Sequence, residues 1–182
     1  GRLMVRVAVV RFPGSNCDED ARRGAEQSSA ESYFVWHRDT SLQGADVVVL
    51  QDASASMYVS DVRPDRWRRS VQFLRTFAET LSWQGDRVAL ALFAQLAAPQ
   101  VRLTKDPNAL FFFIDHLGEH SPFRLENTTT WDTNIEEGIR WGLRLVEKDE
   151  EVFGKNGNPK AFLVISDGQA WSGTVANAIS NA

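Results

Sequence analysis

Every residue from Val88 to Ala94 is apolar, and this run narrows the possible folds more than any other feature of the chain. A strand that alternates apolar and polar positions hides one face and wets the other. A strand that is apolar throughout must be covered on both faces, as in a parallel sheet sandwiched between helices. Further strands are expected at residues 5–12, 33–36, 46–50 and 161–166. Residues 101–104 alternate instead, which suits an edge strand following a turn at Pro99.

Between the strands lie windows of helical period. Trp67, Val71, Leu74, Ala78 and Leu81 form one stripe, and Leu110, Phe113, Ile114 and Leu117 a second. Ile135, Ile139, Leu143 and Val146 form a third. Asp18, Glu19 and Asp20 open a short early helix, where the dipole favours negative charge. Another short helix is expected at residues 174–179. The order predicts one α/β domain over residues 1–182, three-layered and Rossmann-like. Its sheet is expected to be mostly parallel, of about six strands with one antiparallel edge strand, and to carry helices on both faces. Sites in such sheets form beyond the carboxyl ends of the strands.

Three loops carry hard oxygen donors to that edge. Asp52, Ser54 and Ser56 occupy alternate positions after the strand at 46–50. Ser166-Asp167-Gly168 leaves the strand at 161–166, and the polar stretch from Thr128 to Asn134 precedes a helix. Hydroxyl, carboxylate and water oxygens suit a small hard cation such as magnesium. Singly, each piece has a plainer use. Asp52 or Ser54 could cap the following helix, Thr133 could cap the next one, and Asp167-Gly168 is a common turn.

Residues 46–180 resemble a von Willebrand factor type A domain of the bacterial kind, with a metal-ion-dependent adhesion site. The likeness rests on Asp52, Ser54, Ser56 and Met57, on Asp86-Arg87-Val88, on Asp132-Thr133-Asn134-Ile135 and on Ile165-Ser166-Asp167-Gly168. It implies Ser54, Ser56 and Thr133 as direct hydroxyl ligands of Mg2+, with Mn2+ or Ca2+ able to take its place. Asp52 and Asp167 supply charge directly or through water, and an acidic residue of a partner protein or peptide completes the octahedron. Two positions depart from the family pattern: Ala55 and Asp132 stand where glycine is frequent.

Residues 4–45 resemble the start of the glutaminase subunit of phosphoribosylformylglycinamidine synthase, through the stretch from Arg6 to Asp20 and through Phe34-Val35-Trp36-His37. That family's nucleophilic cysteine lies far downstream and has no counterpart here. Cys17, the only cysteine, matches a different position, so amidotransferase chemistry is excluded. Two unrelated likenesses meeting near Gly44-Ala45-Asp46 imply a chimera, in which residues 1–45 form a grafted β-α-β unit. Residues 46–182 form the von Willebrand factor A-like portion, without that family's last strands. The graft is expected beside the strand at 161–166, because the strand at 46–50 needs the strands at 87–94 and 161–166 as its two neighbours.

Several other features carry less. The net charge of −4 and the absence of a dense Lys/Arg stripe argue against nucleic acid. No apolar stretch is long enough for a bilayer, and a soluble, cytoplasmic protein is expected. His116 and His120 fit a zinc-protease spacing, but Gly118 and Ser121-Pro122 break the helix that spacing needs. Gly154-Lys155-Asn156-Gly157 is a turn and not a phosphate loop, and the turn from Pro13 to Asn16 is at most a weak anion cradle. Phe111, Phe112 and Phe113 cannot all face one core. The leading expectation is a non-enzymatic metal-binding interaction domain, monomeric or a domain-swapped dimer. An artificial or recombined scaffold without activity is the first alternative, and a metal-dependent hydrolase the second.

Overall fold

The computed structural model describes residues 6–11, 31–36, 44–119 and 132–167. In chain order the elements are β1 (Arg6–Arg11), β2 (Glu31–Trp36), β3 (Asp46–Asp52), α1 (Arg66–Thr80), β4 (Arg87–Phe93), β5 (Ala97–Thr104), α2 (Pro107–Glu119), α3 (Ile135–Phe153) and β6 (Lys160–Ile165). A 3-10 turn at Ala55–Tyr58 lies between β3 and α1. The short helices expected after Asp18 and at 174–179 lie outside the described residues, as do Cys17, His37, His120, Trp131, Gly168 and Trp171.

β3 has the neighbours that the sequence requires. β4 runs parallel to it with Asp46 opposite Arg87 and Asp52 opposite Phe93. β6 runs parallel on its other side, from Asp46 opposite Lys160 to Gln51 opposite Ile165. β5 is the antiparallel edge strand beyond β4, giving the order β5-β4-β3-β6. β1 and β2 pair in parallel as a separate two-stranded sheet. Some Cα atoms of β1 come within 8 Å of β6, but no ladder joins them. The expected six-stranded sheet is therefore four strands plus two. Apolar patterning makes a segment a strand, whereas backbone pairing across long sequence separations decides which edges join.

The all-apolar strands are covered on both faces. Val47 and Val49 of β3 and Val88, Leu90 and Leu92 of β4 pack with Trp67, Val71, Leu74 and Ala78 of α1 and Leu110, Ile114 and Leu117 of α2. Val48, Leu50, Ala89, Ala91 and Phe93 face the opposite layer, where Ile135, Ile139, Leu145 and Val146 of α3 close over them. Each fully buried Leu or Val side chain contributes roughly 1.5–3 kcal/mol, so the strand centre dominates the stability.

Details of the pattern shift. Leu145, not Leu143, packs against the α3-side cluster. Gly138 and Gly142 occupy the closest approach of α3 to the sheet: a Cβ on Gly142 would lie 2.6 Å from Phe162 Cε1. Pro99 lies inside β5 and not at a turn, opposite Ala91 where the β4–β5 register shifts. An edge strand tolerates proline there because one row of its N–H groups faces no partner strand. Phe112 is the exposed member of the phenylalanine run, at 58%. α2 continues through Gly118 to Glu119, past the expected stop.

Polar clasps tie the end of the sheet where β3 begins. Asp86 accepts from the Gly44 and Ala45 amides at 2.9 and 3.2 Å and from the Ser82 amide at 3.1 Å. The fully buried Asp46 receives a two-pronged guanidinium from Arg87 at 2.7 and 2.6 Å. Asn156, Asn158 and Lys160 donate to the same carboxylate. At the far end of α3, Gly154 takes a positive φ of 82°, open to glycine without strain, and its N–H reaches Glu150 O at 2.9 Å.

Candidate metal centre

Asp52 is the last residue of β3, and backbone bonds gather the neighbouring loops around it. The Ala53 amide donates to Phe93 O at 2.7 Å, and the Asn134 amide to Ala94 O at 2.9 Å. The loop preceding α3 is thereby held against the ends of β3 and β4. Gln51 adds a tie to α1, its Nε2 donating to Asp52 O at 2.8 Å and to Ser70 Oγ at 3.0 Å.

Four of the five predicted site residues meet directly. Ser54 Oγ lies 3.0 Å from Ser56 Oγ and accepts from Thr133 Oγ1 at 2.9 Å. Asp52 Oδ1 accepts from the Ser54 amide at 2.9 Å, and Asp52 Oδ2 from Ser166 Oγ at 2.6 Å. Asp167, the fifth, follows Ser166, and its Oδ2 accepts from Arg66 Nη1 at 2.7 Å.

The capping alternatives go elsewhere. Ser54 makes no side-chain cap bond, and α1 is capped by Asp65, which accepts from the Arg68 amide. α3 begins at Ile135 and is capped by Asn134 Oδ1, which accepts from the Glu137 amide at 3.0 Å. Thr133 is not that cap, and its hydroxyl is turned to Ser54. Asp132 spends Oδ1 on the Thr133 amide at 2.8 Å.

Burial, opposed by hydrogen bonds from Ser166 and Ser54, pushes the Asp52 carboxyl above its ordinary range, and the nearby Asp167 charge adds to the rise. Among the described residues no Lys or Arg forms an ion pair with it. A buried carboxylate with no basic partner, beside three clustered hydroxyls, is a donor set that fits a small hard dication. The hydroxyls of Ser54, Ser56 and Thr133 could hold one, with the Asp52 carboxylate beside them and Asp167 next in the chain to Ser166. Among the described residues no group of three His, Cys, Asp or Glu side chains is placed for a metal, and His116 Nδ1 is 2.7 Å from Phe112 O within its own helix.

Sequence reasoning did not single out Arg66. Arg66 opens α1, bonds Asp61 at 2.8 and 2.6 Å and reaches Asp167 across 101 residues. A cation in the first turn of a helix opposes the dipole, and that anomaly is the signal that marks it.

Residues 47–169 match the von Willebrand factor type A domain family, and the chain belongs to it. The conserved hypothetical protein BatB from Bacteroides thetaiotaomicron shares this fold, with a TM-score of 0.61 at 27% identity over 74% of this chain and 59% of that one. An aerotolerance-related membrane protein from Bacteroides fragilis superposes with a TM-score of 0.60 at 23% identity, over 74% of this chain and 60% of that one. A separate likeness joins 46 residues, 25% of this chain, to phosphoribosylformylglycinamidine synthase subunit PurQ of Rubrobacter xylanophilus at 52% identity. The chain spans only 21% of that relative's length. Among the described residues no helix is long and apolar enough to cross a membrane.

Proposed function

We propose that this chain is a non-enzymatic protein-interaction domain that works through one bound divalent cation, Mg2+ or, in its place, Mn2+ or Ca2+. Ser54, Ser56 and Thr133 bind the ion through their hydroxyls, while Asp52 and Asp167 supply charge, directly or through water. An acidic residue of a protein or peptide partner takes the remaining position. The observation that carries this reading is the contact of Ser54 Oγ with both Ser56 Oγ and Thr133 Oγ1, beside a buried Asp52 that has no basic partner among the described residues. Family membership supports it, and the hydrolytic alternative has no positioned general base beyond the proposed ligands themselves among the described residues.

Thermal melts in chelator and in excess Mg2+ or Mn2+ test the site. The parent protein melts higher with the ion, because a ligand that binds only the folded state stabilises it by mass action. Asp52→Ala loses that rise. Equal melts for the parent in both conditions refute the metal site. Chelator-sensitive capture by an immobilised acidic peptide tests the interaction role.

A second reading concerns origin. The short PurQ likeness and the family match concern unrelated proteins, which favours a recombined or artificial chimera with the N-terminal unit set beside β6. Retained metal binding without peptide capture would leave the chain as an inert scaffold.

A further inference from the structure

Arg66 places a permanent positive charge inside the proposed cation site. One edge of its guanidinium, Nε and Nη2, donates to Asp61 at 2.8 and 2.6 Å, and Nη1 donates to Asp167 Oδ2 at 2.7 Å. The Asp61 side chain is 49% exposed, so that half of the arrangement lies in water. The Asp167 side chain is 6% exposed and that of Arg66 29%, so the Asp167 contact is the more shielded of the two, although it is a single bond beside the two-pronged Asp61 pair.

We propose that Arg66 is a resident counter-charge that competes with the divalent cation for Asp167. It is a positioning residue: it holds the carboxylate when no ion is bound and lowers the affinity of the site for one. The proposal rests on reading Asp52, Ser54, Ser56, Thr133 and Asp167 as a cation site. Two effects act in the same direction. Nη1 occupies an Asp167 oxygen that an ion or its water would use, and a guanidinium charged at every working pH repels a neighbouring dication.

The test compares the parent with Arg66→Gln and Arg66→Lys, by thermal melts in chelator and by Mn2+ affinity from calorimetry or electron paramagnetic resonance. Arg66→Gln is expected to melt below the parent in chelator and to bind Mn2+ several-fold more tightly. Arg66→Lys, which keeps the charge, is expected to bind Mn2+ no more tightly than the parent. A purely supporting outer residue gives the opposite sign, a loss of about 10–100-fold in metal affinity. Unchanged or weaker Mn2+ binding by Arg66→Gln overturns the proposal, as does an unchanged chelator melt. Should Arg66→Gln not fold, tighter Mn2+ binding by Arg66→Lys overturns it. A parent that binds no Mn2+ fails the cation site itself and the competition with it; a parent that binds while Arg66→Gln gains nothing fails only the competition.

Discussion

Thr133 Oγ1 donates to Ser54 Oγ at 2.9 Å, joining loops 79 residues apart in the chain. Thr133→Val keeps the shape and removes the hydroxyl. The chelator melt is expected to fall by no more than the worth of one hydrogen bond, about 1 kcal/mol. The Mg2+-dependent rise in melting temperature is expected to shrink or vanish. Melts of the two proteins with and without Mg2+ check this, and an undiminished rise removes Thr133 from the ligand set.

Gly142 sets the distance between α3 and the sheet. A Cβ there would meet Phe162 Cε1 at 2.6 Å and Leu50 Cδ2 at 3.2 Å. Alanine in a helix interior gains about 1 kcal/mol over glycine from propensity. Overpacking costs about 1–3 kcal/mol, and here it wins. Gly142→Ala is expected to lower the urea midpoint, whereas Gly157→Ala, with nothing within 4 Å of its Cβ, leaves it nearly unchanged.

Asp46 makes the fold sensitive to acid. Burial alone would raise its carboxyl, but the bonds from Arg87, Asn158, Lys160 and Asn156 outweigh burial and hold it far below the ordinary value of 3.8. A depressed folded-state value means stability that is fully present above 3.8 and is lost as the pH falls below it. Urea melts at pH 5, where the contribution is whole, and at pH 2, well inside the window, are expected to show this loss. Asp46→Ala is expected to destabilise by about 1–3 kcal/mol at neutral pH, because it leaves Arg87 with only Asp149 and Lys160 with only the more distant Glu150 as acidic partners. A variant as stable as the parent would make the cluster dispensable.

Asp52 shifts the other way, so proton and cation should compete at a higher pH than at an ordinary carboxylate. Burial raises its carboxyl above 3.8, and the proton is released less readily. Its charged form is disfavoured in the metal-free fold, and a bound dication relieves that penalty only where the proton is off. The Mg2+-dependent rise is expected to be full near neutrality and to begin fading before the pH reaches 3.8. A rise undiminished down to that value contradicts the role given to Asp52.

The central strands were legible because Val88 to Ala94 leaves no polar face to wet, and the observed β4 is buried on both sides. The helix stripes of α1 and α2 were legible for the same reason, since period and burial are local consequences of sequence. Pairing was not. Nothing in residues 5–12 tells whether that strand joins β6 or only its own partner. The hydroxyl loops stood out because Asp52, Ser54 and Ser56 alternate just past a strand. Arg66 was hidden because its contact with Asp167 spans 101 residues and exists only once the chain has folded. The role of Asn134 was hidden by a one-residue ambiguity in where α3 starts, which only the cap geometry resolves. Gly138 and Gly142 left no mark in the apolar period, because hydrophobicity counts side chains and these positions matter by lacking one.

The Asp86 carboxylate grips the Gly44 and Ala45 amides where β3 enters the sheet. From there the seven residues of β3 run to Asp52, a span of roughly 20 Å at about 3.3 Å per residue. Gly44 is therefore moored at the opposite end of β3 from Asp52 and the oxygen cluster. A substitution that loosens Asp86 would free the entry of β3 first, and would reach the oxygen cluster only through the whole length of the strand.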